Sequence, residues 1–333
     1  MSVDDEHVRE TTASWLAEGR KLASATVIRT WRSSPRPVGS RMVVDDAGRF
    51  AGSVSGGCVE SAVIQAVMQF MGDREPRTLE FGVTNEMAWE VGLPCGGKIE
   101  VFVGSVSAEI TERLLQARGT RTLYSLLTDL STGEQRLIDP AALPHDLNHA
   151  EREFLERHSY QDISSVVEHD GRRTFVELLG PPLHLILVGA VHLGQVLSEL
   201  ARMAGFAVTV VDPRQSFATP ERFPEVRLVS EWPAEALGQL GLDRRTAVVT
   251  LSHDAKIDEP ALATALRSDC FYIGALGGRK TQASRRDRLR KSGFDDSTLQ
   301  RIHGPVGLKI GALTTPEIAM AIMGQIIERW RLP

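Results

Sequence analysis

Two short segments set a thiol beside paired glycines: Ser55-Gly56-Gly57-Cys58-Val59-Glu60 and Pro94-Cys95-Gly96-Gly97. The first stands where a helix begins, and there the helix dipole and unbonded N–H groups lower a thiol's pKa and attract anions. Glycines next to a cysteine let a ligand come close to the backbone. Neither cysteine belongs to a C-x-x-C pair, and no His/Cys spacing matches structural zinc. The chemistry open to Cys58 and Cys95 is soft-metal coordination or sulfur transfer; the plain alternative is a pair of small buried hydrophobes. Ser34 and Arg36, with Arg41, add a polar and cationic set able to meet a phosphate or a pterin. Cys270 falls in an apolar strand and reads as packing.

A second group of residues lies in the C-terminal half. Gly189-Ala190-Val191-His192-Leu193-Gly194 follows an apolar run, as a dinucleotide fingerprint G-x-G-x-x-G would, but Val191 stands where the middle glycine belongs. A β-branched side chain there obstructs the approach of a pyrophosphate. Gly189 and Gly194 keep the tight turn and the close helix packing, and the helix start beside His192 still favours an anion. Asp212 follows Gly194 by 18 residues, where an acidic group would meet a ribose hydroxyl. Ser252-His253-Asp254, with Lys256 and Asp258, follows another apolar run; His253 there could shuttle protons or join the carboxylates on a metal, or simply make ordinary hydrogen bonds. Gly274, Gly277 and Gly278 precede Arg279-Lys280, either as a phosphate cradle or as a plain turn.

These residues need elements to carry them. The N-terminal part predicts a helix over 7–23, strands at 25–30, 41–44, 49–52 and 98–103, and a helix over 61–71. Hairpins interleaved with helices point to a mixed α/β domain over 1–106. Residues 107–182 carry weaker signals: strands near 123–128 and 173–178, a helix over 149–158, and Pro181-Pro182 as a boundary. From 183 to 333 the pattern sharpens. Apolar runs at 183–188, 207–211, 246–251 and 270–273 alternate with helices at 195–204 and 259–267, with Gly205 placed to cap the first. That rhythm predicts a Rossmann-like doubly wound parallel sheet.

Bulk properties narrow the function classes. A chain of 333 residues with 42% hydrophobic and 24% charged residues fits two or more soluble globular domains. A net charge of −5 gives no general reason to bind nucleic acid, and the basic run from Arg279 to Lys291 fits a charged helix face. Three cysteines make no secreted disulfide framework. The start MSVDDEHVRE does not read as a signal peptide, and no apolar run nears the roughly 20 residues of a membrane span. The expected location is the reducing cytoplasm, with no membrane partner.

Taken together, the segments resemble the XdhC/CoxI family of molybdenum-enzyme accessory proteins. The likeness rests on TWRSSPRPVGSRMVVD, AGSVSGGCVESAVI, EVGLPCGGKIEVFV, VVDPRQSFATPERFP, FYIGALGGRKTQASRRDRL and HGPVGLKIGALTTPEIAMAI, spread from residue 30 to residue 322. The resemblance implies a chaperone for molybdenum cofactor (molybdopterin or its dinucleotide form) more than a turnover enzyme. It implies protection of that cofactor, support for its sulfuration, and delivery to a molybdenum hydroxylase of the xanthine, aldehyde or carbon monoxide dehydrogenase type. A cysteine desulfurase is the implied sulfur source, and a homo-oligomer is compatible with it. On this reading Cys58 and Cys95 contact molybdenum and carry the chemistry with His253. Ser34, Arg36, Ser55, Gly56, Gly57, Gly96, Gly97, Gly189, His192, Gly194, Asp212 and Gly277 line the cofactor. The family usually has Gly-Ala-Gly-His where Gly189-Ala190-Val191-His192 stand, Thr-His at Ser252-His253, and an acidic residue at Lys309. An NAD(P)-dependent oxidoreductase and a docking scaffold without chemistry are the competing classes, and Val191 argues against the first.

Overall fold

Two adjacent prolines can extend neither a helix nor a ladder, and at Pro181-Pro182 the chain divides into two compact units, Met1–Pro181 and Pro182–Pro333. The computed structural model describes residues 3–31, 34, 36–57, 59–82, 97–117, 121–158, 161 and 163–332.

The first unit opens with α1 (Val3–Ala17), β1 (Leu22–Trp31), β2 (Arg41–Asp45), β3 (Phe50–Gly52), α2 (Glu60–Asp73), β4 (Arg77–Gly82) and β5 (Lys98–Ser105). These strands form an antiparallel sheet in the order β3-β2-β1-β5-β4. Strand alternation turns Ala23, Ala25 and Val27 to one face, where Val63, Val67 and Phe70 of α2 cover them. The other face is shared. Leu22 and Val43 meet Val8 of α1, while Ile28 and Phe102 meet Leu130 and Phe175.

Those last two residues belong to the rest of the unit: α3 (Ala108–Gln116), β6 (Tyr124–Asp129), β7 (Gln135–Ile138), α4 (His149–His158), β8 (Ser165–His169) and β9 (Arg172–Leu179). Their strands make a second antiparallel sheet, ordered β7-β6-β9-β8. Charge-assisted bonds tie the two sheets: Arg173 Nη2 donates to the buried Glu100 Oε1 at 2.7 Å, and Arg41 Nη2 to Glu177 Oε2 at 2.5 Å.

The second unit runs β10 (His184–Val188), α5 (His192–Met203), β11 (Ala207–Val211), β12 (Arg227–Val229), α6 (Pro233–Leu240) and β13 (Thr246–Thr250). It continues through α7 (Ala255–Leu266), β14 (Tyr272–Ala275), α8 (Arg279–Lys291), α9 (Asp296–Leu299), β15 (Ile302–His303) and α10 (Thr315–Arg331). All six strands are parallel, in the order β12-β11-β10-β13-β14-β15. The strand order reverses between β10 and β13, which is the switch point of a doubly wound fold. Leu185 and Leu187 pack toward α5 and α10; Ile186 and Val188 pack toward α6, α7 and α8. Each such fully buried aliphatic side chain contributes roughly 2 kcal/mol of burial. Among the described residues no helix is long and apolar enough to cross a membrane.

The entry helix expected over 7–23 is instead α1 at Val3–Ala17, because Leu22 and Ala23 already pair with Asp45 and Val44 as the start of β1, which runs past the expected 25–30 to Trp31. In the second unit further boundaries differ, each for a local reason. Helix α5 starts at His192, ahead of residue 195, because Gly194 lies inside its first turn and not in the loop. Helix α7 starts at Ala255, ahead of residue 259, because the Asp254 carboxylate accepts from Lys256 N at 2.9 Å and Pro260 is accommodated within the helix. Strand β14 continues through Gly274, whose missing side chain leaves room for Val306 and the Tyr272 ring; Cys270 sits buried just ahead of it.

Candidate functional site

The loop between β3 and α2 is built around a carboxylate. Glu60, the first residue of α2 and 8% exposed, turns back into the preceding residues. Its Oε1 accepts from Ser53 Oγ (2.7 Å), Val54 N (3.2 Å), Ser55 N (2.9 Å) and Gly56 N (3.1 Å). Its Oε2 accepts from Ser55 Oγ (2.6 Å), Gly57 N (2.9 Å) and Val59 N (3.2 Å). Burial alone would push this carboxyl up, but the bonds from Ser53, Ser55 and the backbone outweigh it and hold it at about 2, below the usual 4.5. Left-handed backbone at Gly56 (φ 84°) and Gly57 (φ 120°) aims successive N–H groups at one point, and space beside both Cα atoms is open.

This corrects one expectation. The N–H groups of Ser55, Gly56 and Gly57 do not wait for a phosphate; Glu60, tethered a few residues away, already occupies them. What remains of the loop for a ligand is the exposed Cα face of the two glycines. The negative charge on the first turn was legible, since an acid right after an N–H-rich loop is a candidate occupant.

The other expected site residues of this unit are scattered. Ser34 and Arg36 are half-buried, and Ser34 Oγ donates to Arg36 O at 2.8 Å. Arg41 is committed to Glu177 and, through Nε, to Thr26 Oγ1 at 3.0 Å. Gly97 is buried and leads directly into β5. Cys58, Cys95 and Gly96 lie outside the described residues. A cavity of about 60 Å³ beside α1 and α3 is lined by Arg9, Thr12, Ser24 and Ser107 among others and, of the expected residues, by Arg41. It is far below the roughly 300 Å³ at which small-molecule pockets begin.

In the second unit the expected residues do converge, on the carboxyl edge of the parallel sheet. Gly189 has φ 108°, and a side chain there would come within 2.8 Å of Ser252 N, so glycine is what lets the loops after β10 and β13 touch. Gly194 packs its bare Cα near Gly189 O and Leu251. Val191 is the N-cap of α5 and contributes no side-chain cap; its side chain rests partly on the core beneath. His192 is exposed, with Nδ1 at 3.2 Å from Gln195 Oε1.

Asp212 is a second correction. Its side chain is fully buried, and its oxygens accept from Ala190 N (2.7 Å), Arg214 N (2.9 Å), Arg214 Nε (2.9 Å) and Arg214 Nη2 (2.7 Å). Burial would raise this carboxyl, yet the Arg214 and Ala190 bonds win and hold it below the usual range. A ribose hydroxyl would find neither an open carboxylate nor a loop N–H at Ala190. Arg214, which the sequence reading did not single out, is the cause.

Beneath the neighbouring loops runs a buried polar chain that sequence reasoning also missed. Ser252 Oγ donates to Asp258 Oδ1 (2.7 Å), and Arg285 Nη2 to Asp258 Oδ2 (3.1 Å). Arg285 Nη1 donates to Leu276 O (3.1 Å) and Gln282 Oε1 (2.9 Å); Gln282 Nε2 donates to Ala275 O (2.8 Å) and Gly277 O (3.1 Å). Burial pushes the Asp258 carboxyl up, opposed by Ser252 and by the Arg285 charge. The chain fixes both the Gly277 turn (φ 126°) and the loop carrying His253, which is exposed and held at φ 62°. A histidine in that left-handed region is uncommon and costs strain, typically of order 1 kcal/mol or more. Asp258 faces inward and Asp254 caps α7, so neither joins His253 on a metal. Among the described residues no group of three His, Cys, Asp or Glu side chains could hold one.

This geometry carries a prediction. With Ala190 N and Asp212 spent internally and valine at 191, calorimetry should find NAD and NADP binding weaker than about 0.1 mM, a level of roughly −5.5 kcal/mol. Low-micromolar binding of either would return the second unit to ordinary dinucleotide chemistry.

Comparison with known proteins matches residues 15–82 to the model of the XdhC and CoxI family and residues 185–326 to that of the XdhC Rossmann domain. The chain is 27% identical over 317 residues to the molybdenum cofactor insertion chaperone PaoD of Escherichia coli (strain K12), covering 93% of this chain and 84% of that one. It is 28% identical over 333 residues to a probable xanthine dehydrogenase subunit of Bacillus subtilis (strain 168), covering 94% of each. A crystal structure described as a xanthine dehydrogenase from Bacillus halodurans superposes with a TM-score of 0.76 at 24% identity, over 99% of this chain and 96% of that one; this likeness concerns the fold.

Proposed function

Because the chain belongs to the XdhC and CoxI family, we propose that it is an accessory protein that binds molybdenum cofactor and inserts it into a molybdenum hydroxylase. The observation that carries this reading is the family match in both units, together with likeness to a molybdenum cofactor insertion chaperone over 93% of the chain.

The finer assignments belong to the same proposal. Cys58 and Cys95 meet molybdenum, since thiolates suit that metal and the exchange of an oxo for a sulfido ligand. A cysteine desulfurase supplies the sulfur, and the client is of the xanthine, aldehyde or carbon monoxide dehydrogenase type. The open face of Gly56 and Gly57 admits the cofactor beside Cys58, while Ser34, Arg36, Gly96 and Gly97 contribute from elsewhere in the first unit. In the second unit, Gly189, His192, Gly194 and Gly277 shape the carboxyl edge, and His253 stands above it as the group able to move a proton. Asp212 supports that edge from below, acting through Ala190.

In a strain lacking the protein, the client should accumulate as folded enzyme with normal iron–sulfur and flavin content but little cyanide-labile sulfur. Anaerobically purified chain, co-expressed with cofactor synthesis, should release oxidised pterin detectable by mass spectrometry. Full sulfido-molybdenum content in client from the deletion strain would sink the proposal. Loss of client polypeptide with normal specific activity in the remainder would favour a docking scaffold.

A further inference from the structure

Helix α8 breaks the electrostatic rule that other helices of this chain obey. Seven of its thirteen residues are Arg or Lys and one, Asp287, is acidic, in a chain whose net charge is −5. Arg279 and Lys280 occupy its first turn, no acid accompanies them, and the N-cap Gly278 offers no side chain. Cations at the positive end of a helix dipole are unfavourable. Helix α10, by contrast, has Glu317 in its first turn and a capping box with Thr314.

Internal needs account for only part of the charge. Arg285 is buried on Asp258, Arg288 pairs with Glu259, and Arg290 pairs with Asp287 and Asp296. Among the described residues, no carboxylate lies within ion-pair distance of Arg279, Lys280, Arg286 or Lys291, and all but the half-buried Arg286 are exposed. A spacing of seven (279 to 286) and one of eleven (280 to 291) each return to the same side of a helix, so the four form two rows about 100° apart. Together these make a broad cationic stripe away from the buried Gln282, Arg285 and Leu289, roughly 20 Å long at 1.5 Å per residue.

We propose that this stripe of α8 is a docking surface for an acidic patch on the molybdenum enzyme that receives the cofactor, an inference that rests on the carrier reading above. A protein partner fits better than a polyanion. Asp287 sits within the stripe and pairs with Arg290, which also pairs with Asp296, so the surface carries the mixed charge of a protein interface and not the uniform positive field that suits a polyanion. The inner side of the same helix holds the Gly277 turn through Gln282, so docking takes place directly behind the carboxyl-edge loops.

The test uses the full chain with a xanthine dehydrogenase apoenzyme as probe, comparing wild type with Arg279→Glu/Lys280→Glu and Arg286→Glu/Lys291→Glu variants. The first variant should melt at the same temperature as wild type or higher, because acids now face the positive helix end. Its association rate at low salt should nonetheless fall tenfold or more, and the difference should shrink as salt screens the charges. That opposite movement of stability and binding is not produced by a structural role. Association within twofold of wild type, with cofactor still delivered, would overturn the α8 surface and leave the carrier reading standing. If wild type itself neither binds nor loads the apoenzyme, both fall. Binding of duplex DNA or phosphatidylglycerol vesicles that needs α8, beside apoenzyme binding that does not, would also overturn it.

Discussion

Glu60→Gln should destabilise the first unit by about 3 kcal/mol or more while leaving its volume unchanged. The glutamine amide can keep one oxygen, but its NH₂ must then face backbone donors: either the N–H groups of Val54, Ser55 and Gly56, or those of Gly57 and Val59, with only the serine hydroxyl on that side able to turn and accept. Donors pointed at a donor lose the bond and keep the desolvation cost. Denaturation followed by probes of the first unit would measure the difference, and a loss below about 1 kcal/mol would contradict the arrangement. The pH dependence has a definite sign. Glu60 titrates at about 2 when folded against 4.5 ordinarily, so its contribution is complete above 4.5 and fades as pH falls toward 2. Wild type should therefore lose its advantage over Glu60→Gln across that window and not at neutral pH.

The second large effect is expected at Arg285→Ala. Removing the guanidinium leaves Asp258, with no exposed surface, holding only its bonds from Ser252, and strips donors from Leu276 O and Gln282. Breaking a buried pair from one side typically costs about 3–5 kcal/mol, whereas replacing both partners by apolar groups of similar size is often near neutral. Arg285→Met combined with Asp258→Leu should accordingly recover more than half of the loss in thermal denaturation of the full chain. A double variant no better than the sum of the singles would show that the two residues stabilise independently.

How much of this was legible depends on whether a signal is local. The parallel sheet was, because β10, β11 and β13 are largely apolar runs, interrupted only by His184 and by threonines, and each strand carries its own evidence of burial on two faces. The sheet of β6–β9 was only half visible, since β7 and β8 are short and partly exposed, and the pairing that joins their two hairpins, β6 with β9, brings together residues some 45 to 55 apart in sequence. Site residues followed the same division. Glycines at 189 and 277 could be picked from the loops they punctuate, but the partners that fix those loops come from 63 and 5 residues downstream, at Ser252 and Gln282. Arg285 and Gln282 hid inside a basic run; only their helical phase with Leu289, on the inward face of α8, set them apart. Glu60 was read as part of a motif and not as the motif's own anion.

That internal anion has a kinetic consequence. A loop ordered only by its cargo must freeze its backbone on loading, at roughly 1–2 kcal/mol per residue, and must melt again on release. Residues 53–57 are instead held in place by a side chain of the same polypeptide. On the carrier function proposed above, loading and unloading would leave their conformation alone, and hand-off would be timed by contacts to the cargo itself, with no refolding step between one delivery and the next.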